Sequence, residues 1–600
     1  MLFSKDLSVR MKLLVGIGLL LAAAFLIYLP FELGAALTIP PDSSEYSICL
    51  GNLFEHGRFG FTLNGTWYPS RYAPWFSLLC LTPAYLLSGG NVLCSHWAIL
   101  AFALILLIAV WKMGKMCGLG RLSILPPITL MFMPDFVFYS RVAMTEIPYA
   151  ALFAVISLVF VRFVNKARVS ARFCFCVGLL IAWIGLVRTS GFSLAIPFGV
   201  VVLLRRTSGV VMKDSENKEC SMLSLSYVCT GWNTRLLLLS AIGLPILVAL
   251  VVGMGYNWFV FGSPFRSGYN YWCAVPVDFP DLVFNSSYVI PMLKYLLGEP
   301  VIQITLIFLC SALFFFMYVI ATKNCSAHRT FLLLVGFVLS HLMVLACLYL
   351  GYYWPDTRFY LSVTVCSVPL FFVAINAFLS KFGRGMRVLL TMVVFLLSVI
   401  AVSNAPTRYL NMAVGRPIWL AQSQITASVL PPKSIVVQSG DPNVLEYFGF
   451  GEKELRLFPF CREFDYVTYM VAPSRINHLV KKPESWNIKV IPELVRSGVC
   501  SVPFPDVFEE RPELIKEYLS QGRRMFFVKD FFRRDAELEK FRSYVENMGL
   551  TLKLFGVWND QGIAPNPVRH LYDRLIFPDY SMDSRPAIMV AYYEVVAHGG

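Results

Sequence analysis

The sequence predicts an α-helical polytopic membrane protein with about eleven transmembrane helices, followed by a soluble α/β domain. Of the 600 residues, 57% are hydrophobic and only 15% are charged, whereas a soluble globular protein carries about 25% charged residues. Apolar runs long enough to cross a bilayer recur through residues 1–404, and residues 405–600 have the composition of an ordinary soluble domain. We therefore expect a transmembrane domain at 1–404 and a soluble domain at 405–600.

The transmembrane helices are predicted from the length of each apolar run and from its lack of charge, since a span needs about 20 largely apolar residues. The run before Asp42 has no convincing small-residue cleavage site, so we interpret it as a retained first helix. A shorter apolar run, Pro74–Leu87, is expected to lie at the membrane interface. The eleven predicted spans are Leu13–Leu29, Val92–Trp111, Leu122–Tyr139, Ile147–Val164, Phe173–Val187, Phe192–Leu204, Leu236–Met254, Val301–Ile320, Phe331–Leu350, Phe359–Leu379 and Val388–Ser403.

The basic residues between the spans predict which side of the membrane each loop faces. Alternate loops hold twenty Lys and Arg residues, and the loops between them hold seven. Because cytoplasmic loops carry the excess of Lys and Arg, the poorer set is predicted to face the periplasm, the lumen or the cell exterior. We therefore expect a cytoplasmic N-terminus. With an odd number of spans, the soluble domain is then predicted to be periplasmic or extracellular. We expect the protein to lie in the plasma (inner) membrane. The poorer set is Arg58, Arg71, Arg141, Arg188, Arg266, Lys294 and Arg358.

The net charge of +14 does not predict nucleic-acid binding. Residues 405–600 contain 24 Lys and Arg and 23 Asp and Glu, so the excess of positive charge belongs to the transmembrane domain. There it is explained by topology. We therefore expect the lipid bilayer, and no nucleic acid, as a partner.

The 15 cysteines do not predict a metal site. They form no CxxC pair and no Cys/His spacing typical of metal ligands, and most lie inside apolar runs, where cysteine is a small apolar core residue. Cys461 and Cys500 are the two in the soluble region. They could form a disulfide if that region faces an oxidising compartment.

The soluble region alternates short apolar segments with a helical pattern. Asp535–Met548 has helical apolar spacing, with acids early and Gly549 after its end. Such alternation predicts a small α/β domain. We find no Gly-rich phosphate loop and no nucleophile elbow in it. The predicted strands are Ser434–Gln438, Arg524–Lys529, Leu550–Val557 and Ala587–Val596.

The polar and aromatic stretch from Pro41 to Pro74 follows the first predicted span, and we interpret it as the first outer loop. Charged side chains beside hydrocarbon are costly unless they have a partner or a function. Asp42, with Glu146 from the next outer loop, suits either metal binding or general-base catalysis on a hydroxyl. If a divalent cation such as Mg²⁺ or Mn²⁺ is used, these two are its predicted ligands. Alternatively, Glu146 is simply an acid at a helix N-terminus, and Glu55 is expected on a solvated face.

Three arginines, Arg71, Arg188 and Arg358, lie on three different outer loops. Guanidinium groups bind phosphate bidentately and stay charged when partly buried. Three loops that converge would therefore form a phosphate site at the membrane surface. Each arginine could alternatively extend only to the membrane interface, and Asp356 is expected to pair with Arg358 or to cap the next helix.

Short motifs are distributed over residues 1–405: Asp42, Tyr46, Gly57 and Arg71-Tyr72-Ala73-Pro74 in the first outer loop, Glu146 in the second, Phe261-Gly262-Ser263-Pro264 with Gly268-Tyr269 in a later loop, and Arg358-Phe359-Tyr360 before a late helix. Together they resemble the GT-C membrane glycosyltransferases of the family 39 type, which include protein O-mannosyltransferases and the aminoarabinose transferase of lipid A. The mannosyltransferases have Asp-Glu side by side, whereas here Ser43 follows Asp42 and Glu45 comes two residues later. This departure argues against a strict protein mannosyltransferase.

The resemblance implies a GT-C fold and a polyprenyl-phosphate-linked sugar as donor. The sugar would be transferred, with inversion, to a hydroxyl of a glycan, lipid or protein acceptor. Asp42 would deprotonate or orient that hydroxyl, with Glu45 and Glu146 as further catalytic residues. The absence of a nucleotide-binding loop from the sequence agrees with a lipid-linked donor. The residues implied to bind the donor phosphate and sugar are Arg71, Arg188, Arg358, Tyr46 and Tyr269.

Other functions remain open at the level of sequence. A transporter or flippase of a lipid-linked substrate would have ionisable residues inside helices near the midplane, whereas Asp135 is the one acid within a predicted span. A polymerase or ligase of lipid-linked glycans also acts at the outer face and is poorly separated from a transferase. A non-catalytic assembly protein would leave the outer charges without a role.

Overall fold

The computed structural model describes most of the transmembrane region and part of the C-terminal region. The predicted span Leu13–Leu29, the cysteines Cys461 and Cys500, and the residues Tyr269 and Asp356 lie outside the described residues. The described residues are 41–92, 95–166, 169–204, 232–268, 289–323, 325–350, 357–403, 425–437, 449–451, 453–458, 460, 508, 511–529, 535–560 and 588–597.

The first part of the polar stretch Pro41–Pro74, which we interpret from the sequence as the first outer loop, is helical. Helix α1 spans Pro41–His56, and the antiparallel hairpin of β1 (Gly60–Leu63) and β2 (Thr66–Pro69) follows it. A proline at the first helical position and an acid in the first turn are signals of a helix start, and Pro41-Asp42 supplies both. The hairpin turns at Asn64-Gly65, a dipeptide typical of such turns, with φ of 55° and 84°.

The helices that follow form the transmembrane region. Among the described residues, seven of them are long and apolar enough to cross a membrane: α3, α6, α9, α11, α12, α13 and α14. The apolar run predicted at the interface is α2. In chain order the helices are α2 (Ser77–Leu87), α3 (Ser95–Met116), α4 (Leu125–Met131), α5 (Pro134–Tyr139), α6 (Glu146–Asn165), α7 (Ala171–Val187), α8 (Ala195–Leu204), α9 (Trp232–Phe261), α10 (Val289–Gly298), α11 (Pro300–Ala321), α12 (Cys325–Tyr349), α13 (Leu361–Phe378) and α14 (Arg384–Ser403).

One of the predicted spans is divided in the structure, and two correspond to helices shorter than the seven above. Leu122–Tyr139 is broken into α4 and α5, because proline fits the first turn of a helix but not its interior, and Pro126 and Pro134 lie in the first turns of these two helices. The predicted spans Phe173–Val187 and Phe192–Leu204 correspond to α7 and to a 3₁₀ turn followed by α8, which are shorter apolar helices. The described residues thus do not reproduce the expected number of about eleven.

The centre of the helical region is formed by α6 and α13, whose side chains are mostly buried. In contrast, α9 exposes many apolar side chains, among them Leu247 and Val251. Helices α7 and α9 touch at backbone level: a Cβ atom at Gly178 would overlap the carbonyl group of Ile242. Small residues allow such close approach between transmembrane helices.

The described C-terminal residues form a five-stranded sheet with two helices. Its strand order is β4-β3-β5-β7-β6. β3 runs parallel to β4 and β5, and β7 runs antiparallel to β5 and β6. β3, β5, β6, β7 and α16 coincide with elements predicted from the sequence, whereas β4 and α15 were not predicted. The elements are β3 (Ile435–Val437), β4 (Arg456–Phe458), α15 (Glu513–Ser520), β5 (Met525–Lys529), α16 (Asp535–Glu546), β6 (Leu550–Asp560) and β7 (Ile588–Ala597).

The two faces of this sheet have different partners. Alternate side chains of β5 point to opposite faces: Phe527 packs with α15 and α16, and Phe526 belongs to a second buried cluster. That cluster joins the sheet to Ile48 of α1 and Phe61 of β1. The C-terminal sheet therefore packs directly on α1 and on the hairpin that follows it.

A pair of hydrogen bonds fixes the hairpin to the edge of the sheet. The side-chain nitrogen of Asn64 donates to the carbonyl of Leu457 (2.6 Å), and the side-chain oxygen accepts from the Leu457 N–H (2.8 Å). Asn64 thereby pairs with β4 on the side away from β3, as a neighbouring strand would. Asn64 also belongs to the sequon Asn64-Gly65-Thr66, an acceptor motif for N-glycosylation. Its side-chain nitrogen is engaged in the hydrogen bond to the Leu457 carbonyl.

Candidate active site

Helix α1 presents its functional side chains on the face away from the sheet. Asp42, Glu45 and Tyr46 are spaced so that they lie on one side of a helix. The Tyr46 ring stacks on Tyr72 at 4.3 Å between ring centroids and meets Phe76 edge-on at 4.7 Å. These contacts join α1 to the chain that follows the hairpin.

Glu45 and Arg71 form a closed ion pair beneath the surface. The Arg71 Nε and Nη2 atoms lie 2.7 and 2.5 Å from Glu45 Oε2. Glu45 Oε1 accepts hydrogen bonds from the Ser70 hydroxyl (2.8 Å) and from the Arg71 backbone N–H (2.7 Å). Both oxygens of Glu45 are thus occupied, and its side chain is 1% exposed. Breaking such a buried pair is strongly destabilising, because it leaves an uncompensated charge.

Gly268 lies against the backbone of Ser70 and Arg71. A Cβ atom at Gly268 would overlap the carbonyl oxygens of Ser70 and Arg71. Glycine is therefore the residue that allows this segment to lie against the arginine. This close approach gives a physical reason for the glycine of the Gly268-Tyr269 motif.

Asp42 lies beside this pair and is shared between two arginines. Its Oδ1 atom lies 3.2 Å from Arg71 Nη2, and its Oδ2 atom lies 3.3 Å from Arg358 Nη1. Burial raises the pKa of Asp42, but the charges of Arg71 and Arg358 and a hydrogen bond from Tyr72 outweigh burial, so the pKa lies below its usual value. The side chain is 21% exposed, so an ionised carboxylate reaches the surface of the site.

Glu146, the first residue of α6, lies on the other side of Arg358. Its Oε1 atom accepts a hydrogen bond from Arg188 Nη2 (3.1 Å) and lies 3.8 Å from Arg358 Nε. Its Oε2 atom is buried and has no hydrogen-bond partner among the described residues. Arg358 therefore bridges the two carboxylates, which come from α1 and α6.

Aromatic rings support Arg188 and Arg358. The guanidinium carbon of Arg188 lies 5.6 Å from the centre of the Tyr149 ring and 5.2 Å from that of Phe359. The guanidinium carbon of Arg358 lies 5.3 Å from the same Phe359 ring, which stacks on Tyr349 at 4.3 Å. Such cation–π contacts stabilise a charged group by about 0.5–2 kcal/mol, and they orient both guanidinium groups.

These side chains line one end of a cavity of about 610 Å³, a size typical of small-molecule sites, which span about 300–1,000 Å³. Its charged end and its apolar wall form one continuous space. An amphiphilic molecule with an anionic group at one end would match both parts. The charged residues are Asp42, Arg71, Glu146, Arg188 and Arg358, and the apolar wall includes Trp75, Phe76, Leu186, Phe192, Ala249, Leu250 and Met254.

The structure brings together most of the residues singled out in the sequence. Asp42, Tyr46, Arg71, Glu146, Arg188 and Arg358 all line the cavity. Glu45 is not among the lining residues, because it is buried behind Arg71; we therefore do not retain it as a catalytic residue. Sequence reasoning also missed the aromatic supports. The sequence indicates such a support only where an aromatic residue directly follows an arginine, as Tyr72 follows Arg71 and Phe359 follows Arg358.

The carboxylates of the site are arranged for pairing with arginines rather than for binding a metal ion. Among the described residues, no group of three or more His, Cys, Asp or Glu side chains lies close enough together to hold a metal ion. Each oxygen of Asp42 already faces an arginine. A cation bound between Asp42 and Glu146 would have to displace Arg358, which occupies the space between them.

Comparisons with known proteins find similar structures but no similar sequence. No protein-family model matches the chain, and no curated protein matches it. ArnT from Cupriavidus metallidurans, solved in the apo state and bound to undecaprenyl phosphate, is 11% identical over 97% of this chain and 98% of its own, with a TM-score of 0.48.

Two other solved structures are similar at the same level. The Archaeoglobus fulgidus oligosaccharyltransferase is 10% identical over 92% of this chain and 74% of its own, with a TM-score of 0.46. The arabinofuranosyltransferase AftD from Mycobacteria is 14% identical over 98% of this chain and 40% of its own, with a TM-score of 0.44. At these values no residue role is transferred from any of the three.

Proposed function

We propose that the protein is a membrane glycosyltransferase that moves a sugar from a polyprenyl-phosphate-linked donor to an acceptor hydroxyl, with inversion. The acceptor belongs to a lipid, a glycan or a protein. In this proposal residues 1–404 form a GT-C-like transmembrane domain of about eleven helices in the plasma (inner) membrane, with a cytoplasmic N-terminus. Residues 405–600 form an α/β domain on the outer side.

The observation that carries the proposal is the division of the cavity into a charged end and an apolar wall. A polyprenyl-phosphate sugar has the same division, since a charged phosphate joins a hydrocarbon chain to a polar sugar. The wall formed by α7 and α9 would take the first isoprene units. The ion pairs at the other end would take the phosphate and the sugar.

The charges at this end support different roles for the three arginines. Arg71 is bound to Glu45 and Asp42 and is 6% exposed, so we assign it to holding the two carboxylates. Arg188 has Glu146 as its hydrogen-bond partner among the described residues and is 13% exposed. Arg188, with Arg358 beside it, is therefore the better candidate for the donor phosphate, which guanidinium groups bind bidentately.

The proposed reaction is a single displacement at the anomeric carbon of the sugar. The acceptor oxygen forms a bond to that carbon on one face, while the bond from the carbon to the phosphate oxygen breaks on the other. The bonding electrons leave with the polyprenyl phosphate, where Arg188 and Arg358 stabilise the developing charge. The acceptor proton passes to Asp42 and then to solvent. The products are the glycosylated acceptor and polyprenyl phosphate.

The low pKa of Asp42 limits the way in which it acts. A carboxylate of lowered pKa is a weak base toward a free hydroxyl. We therefore assign Asp42 first to orienting the hydroxyl by a hydrogen bond. It accepts the proton late, when bond formation to the sugar has made the hydroxyl acidic. Arg71 and Arg358 keep it ionised for this purpose.

The contact between the sheet and α1 supports an outer-face enzyme. Because the C-terminal sheet packs on the helix that carries Asp42, we expect the site and the C-terminal domain to lie on the same side of the membrane. The basic-loop pattern predicts that this side is the outer one.

Binding of undecaprenyl phosphate to the purified protein tests the proposal. Arg188→Lys keeps the charge and loses the bidentate geometry, so we expect binding to weaken by about 1–3 kcal/mol. Arg58→Lys, at an exposed arginine near the hairpin, is the matched control and should bind as the parent does. Absence of binding by the parent protein would contradict the proposed function, and equal affinity in the Arg188→Lys variant would contradict the role of Arg188.

A further inference from the structure

A group of buried polar side chains lies beneath the charged end of the cavity. His341 of α12 is 1% exposed, and its Nε2 atom lies 3.3 Å from the Tyr149 hydroxyl and 3.4 Å from the Ser362 hydroxyl. The Tyr149 hydroxyl also lies 3.0 Å from that of Ser190. Polar groups inside a transmembrane bundle are costly and usually have a function. We call His341, Tyr149, Ser190 and Ser362 the histidine cluster.

Tyr149, Ser190 and Ser362 each lie within four residues of a charged residue of the site. Tyr149 stands one helical turn after Glu146 on α6. Ser190 stands two residues after Arg188, in the 3₁₀ turn that follows α7. Ser362 stands one turn after Arg358, at the start of α13. The histidine cluster therefore joins the three chain segments that contain Glu146, Arg188 and Arg358.

The imidazole ring of His341 is held in one orientation. It stacks on Phe153 at 4.4 Å between ring centroids, and its Nδ1 atom is buried without a hydrogen-bond partner among the described residues. A buried N–H group without an acceptor is rarer than an acceptor without a donor. The proton is therefore assigned to Nε2, which donates to the Tyr149 or the Ser362 oxygen.

We propose that His341 is a positioning residue that sets the relative placement of Glu146, Arg188 and Arg358 through the histidine cluster. The proposal rests on the proposed function, in which these side chains hold the donor. It follows from geometry: a rigid ring that bonds to two elements, with a third joined through Tyr149, fixes the distances between them. His341 itself touches no substrate, since it is not among the residues lining the cavity.

Two substitutions separate positioning from general support of the fold. His341→Phe keeps the ring and its stacking on Phe153 but removes both nitrogens. His341→Gln places an amide N–H near the position of Nε2 and can donate to the same hydroxyls. Thr305→Val is the matched control, because Thr305 makes another buried hydrogen bond between helices, to Thr364 of α13 (3.0 Å), away from the cavity.

The first readout is independent of any substrate: the rate at which phenylglyoxal modifies Arg188 and Arg358, mapped by mass spectrometry. We expect faster modification of both in the His341→Phe variant, with the His341→Gln and Thr305→Val variants close to the parent. Equal rates in the His341→Phe and Thr305→Val variants would overturn the positioning role. So would a His341→Gln variant that reacts as fast as the His341→Phe variant.

The second readout is undecaprenyl phosphate binding by the same variants. Because losing one hydrogen bond to a charged group weakens binding by about tenfold or more, we expect the His341→Phe variant to bind about tenfold or more weakly and His341→Gln to restore most of the affinity. Unchanged binding in His341→Phe contradicts the proposal. If the parent protein binds no undecaprenyl phosphate, the proposed function fails, and the arginine modification rates still decide whether His341 positions the site.

Discussion

Asp42 and Glu55 illustrate how surroundings divide the roles of acids along one helix. Both belong to α1, but Asp42 faces two arginines in the cavity, whereas the Glu55 side chain is 62% exposed and its partner is the neighbouring His56 at 4.0 Å. Exposed ion pairs contribute little to stability. A carboxylate in a cavity between arginines is instead poised for work on a substrate.

The Asp42→Asn variant should transfer sugar at least about 100-fold more slowly than the parent, since general-base catalysis contributes about 10²–10⁴-fold. The substitution keeps the size and removes the charge that Arg71 and Arg358 face. The measurement is the rate of sugar transfer by equal amounts of purified, folded parent and variant protein. Glu55→Gln is the control and should be nearly silent. Full activity in the Asp42→Asn variant would contradict the assigned role.

The pH dependence of transfer should reflect the low pKa of Asp42. The active form is the carboxylate, so its contribution persists as pH falls from 7 and is lost only below the usual aspartate value of about 3.9. Arg358→Gln removes one cause of the lowered pKa, so the acid limb should move to higher pH in that variant. The pH of half-maximal activity at saturating donor measures the shift. An acid limb that stays in place would show that Arg358 does not act on Asp42.

At the residue scale, the sequence shows which charges lie at outer loops but not which of them meet. Chemical type and position suggested Arg188, Arg358 and Glu146, which the structure places around one another. The burial of Glu45 could not be foreseen, because it depends on Arg71 folding back onto α1. His341 was missed because the spans were judged by their lack of charge, and a neutral histidine in an apolar run raises no such signal.

Among the described elements, α1 contacts both the cavity and the C-terminal sheet. One face carries Asp42 and Tyr46 into the cavity, and the other face carries Ile48 into the cluster shared with the C-terminal sheet. The placement of the sheet is therefore coupled to the placement of Asp42. The two hydrogen bonds between Asn64 and Leu457 are the polar part of this connection.

Asn64→Gly should loosen the connection without straining the hairpin. Glycine keeps the left-handed backbone of position 64 at no steric cost, but both hydrogen bonds to Leu457 are lost. At about 1 kcal/mol for each bond, we expect exchange of the Leu457 amide hydrogen to accelerate by about tenfold or more. Hydrogen-exchange mass spectrometry measures this, with Thr62→Ala, an exposed position of the same hairpin, as the control. Unchanged exchange at Leu457 in the Asn64→Gly variant would show that the sheet is held by apolar contacts alone.

Element prediction succeeded where a long pattern was uninterrupted and failed where local signals were decisive. The apolar runs of α3, α6 and α11 were long and uncharged, so period and length sufficed. Pro134 breaks a run that composition alone joins into one span. In the opposite direction, Pro41 and Asp42 mark a helix start inside a stretch whose polar composition suggested a loop.

In the whole molecule, the C-terminal sheet packs on α1, so the proposed function predicts that the site and this sheet share one side of the membrane. The basic-loop pattern predicts that this is the outer side. In a background without native cysteines, Gln521→Cys should react with a membrane-impermeant thiol reagent in intact cells. Lys323→Cys, at an exposed position after α11, should stay unlabelled until the membrane is permeabilised. Labelling of Lys323→Cys with protection of Gln521→Cys would reverse the orientation.

The central claim is that the protein consumes a polyprenyl-phosphate-linked sugar at the site containing Asp42. Its most direct test is mass spectrometry of the lipids extracted from cells that lack the protein. The account predicts that a polyprenyl-phosphate sugar accumulates in these cells, that the parent protein clears it, and that the Asp42→Asn variant leaves it in place. An unchanged polyprenyl-phosphate-sugar pool in cells without the protein, or clearance of that pool by the Asp42→Asn variant, would contradict the account.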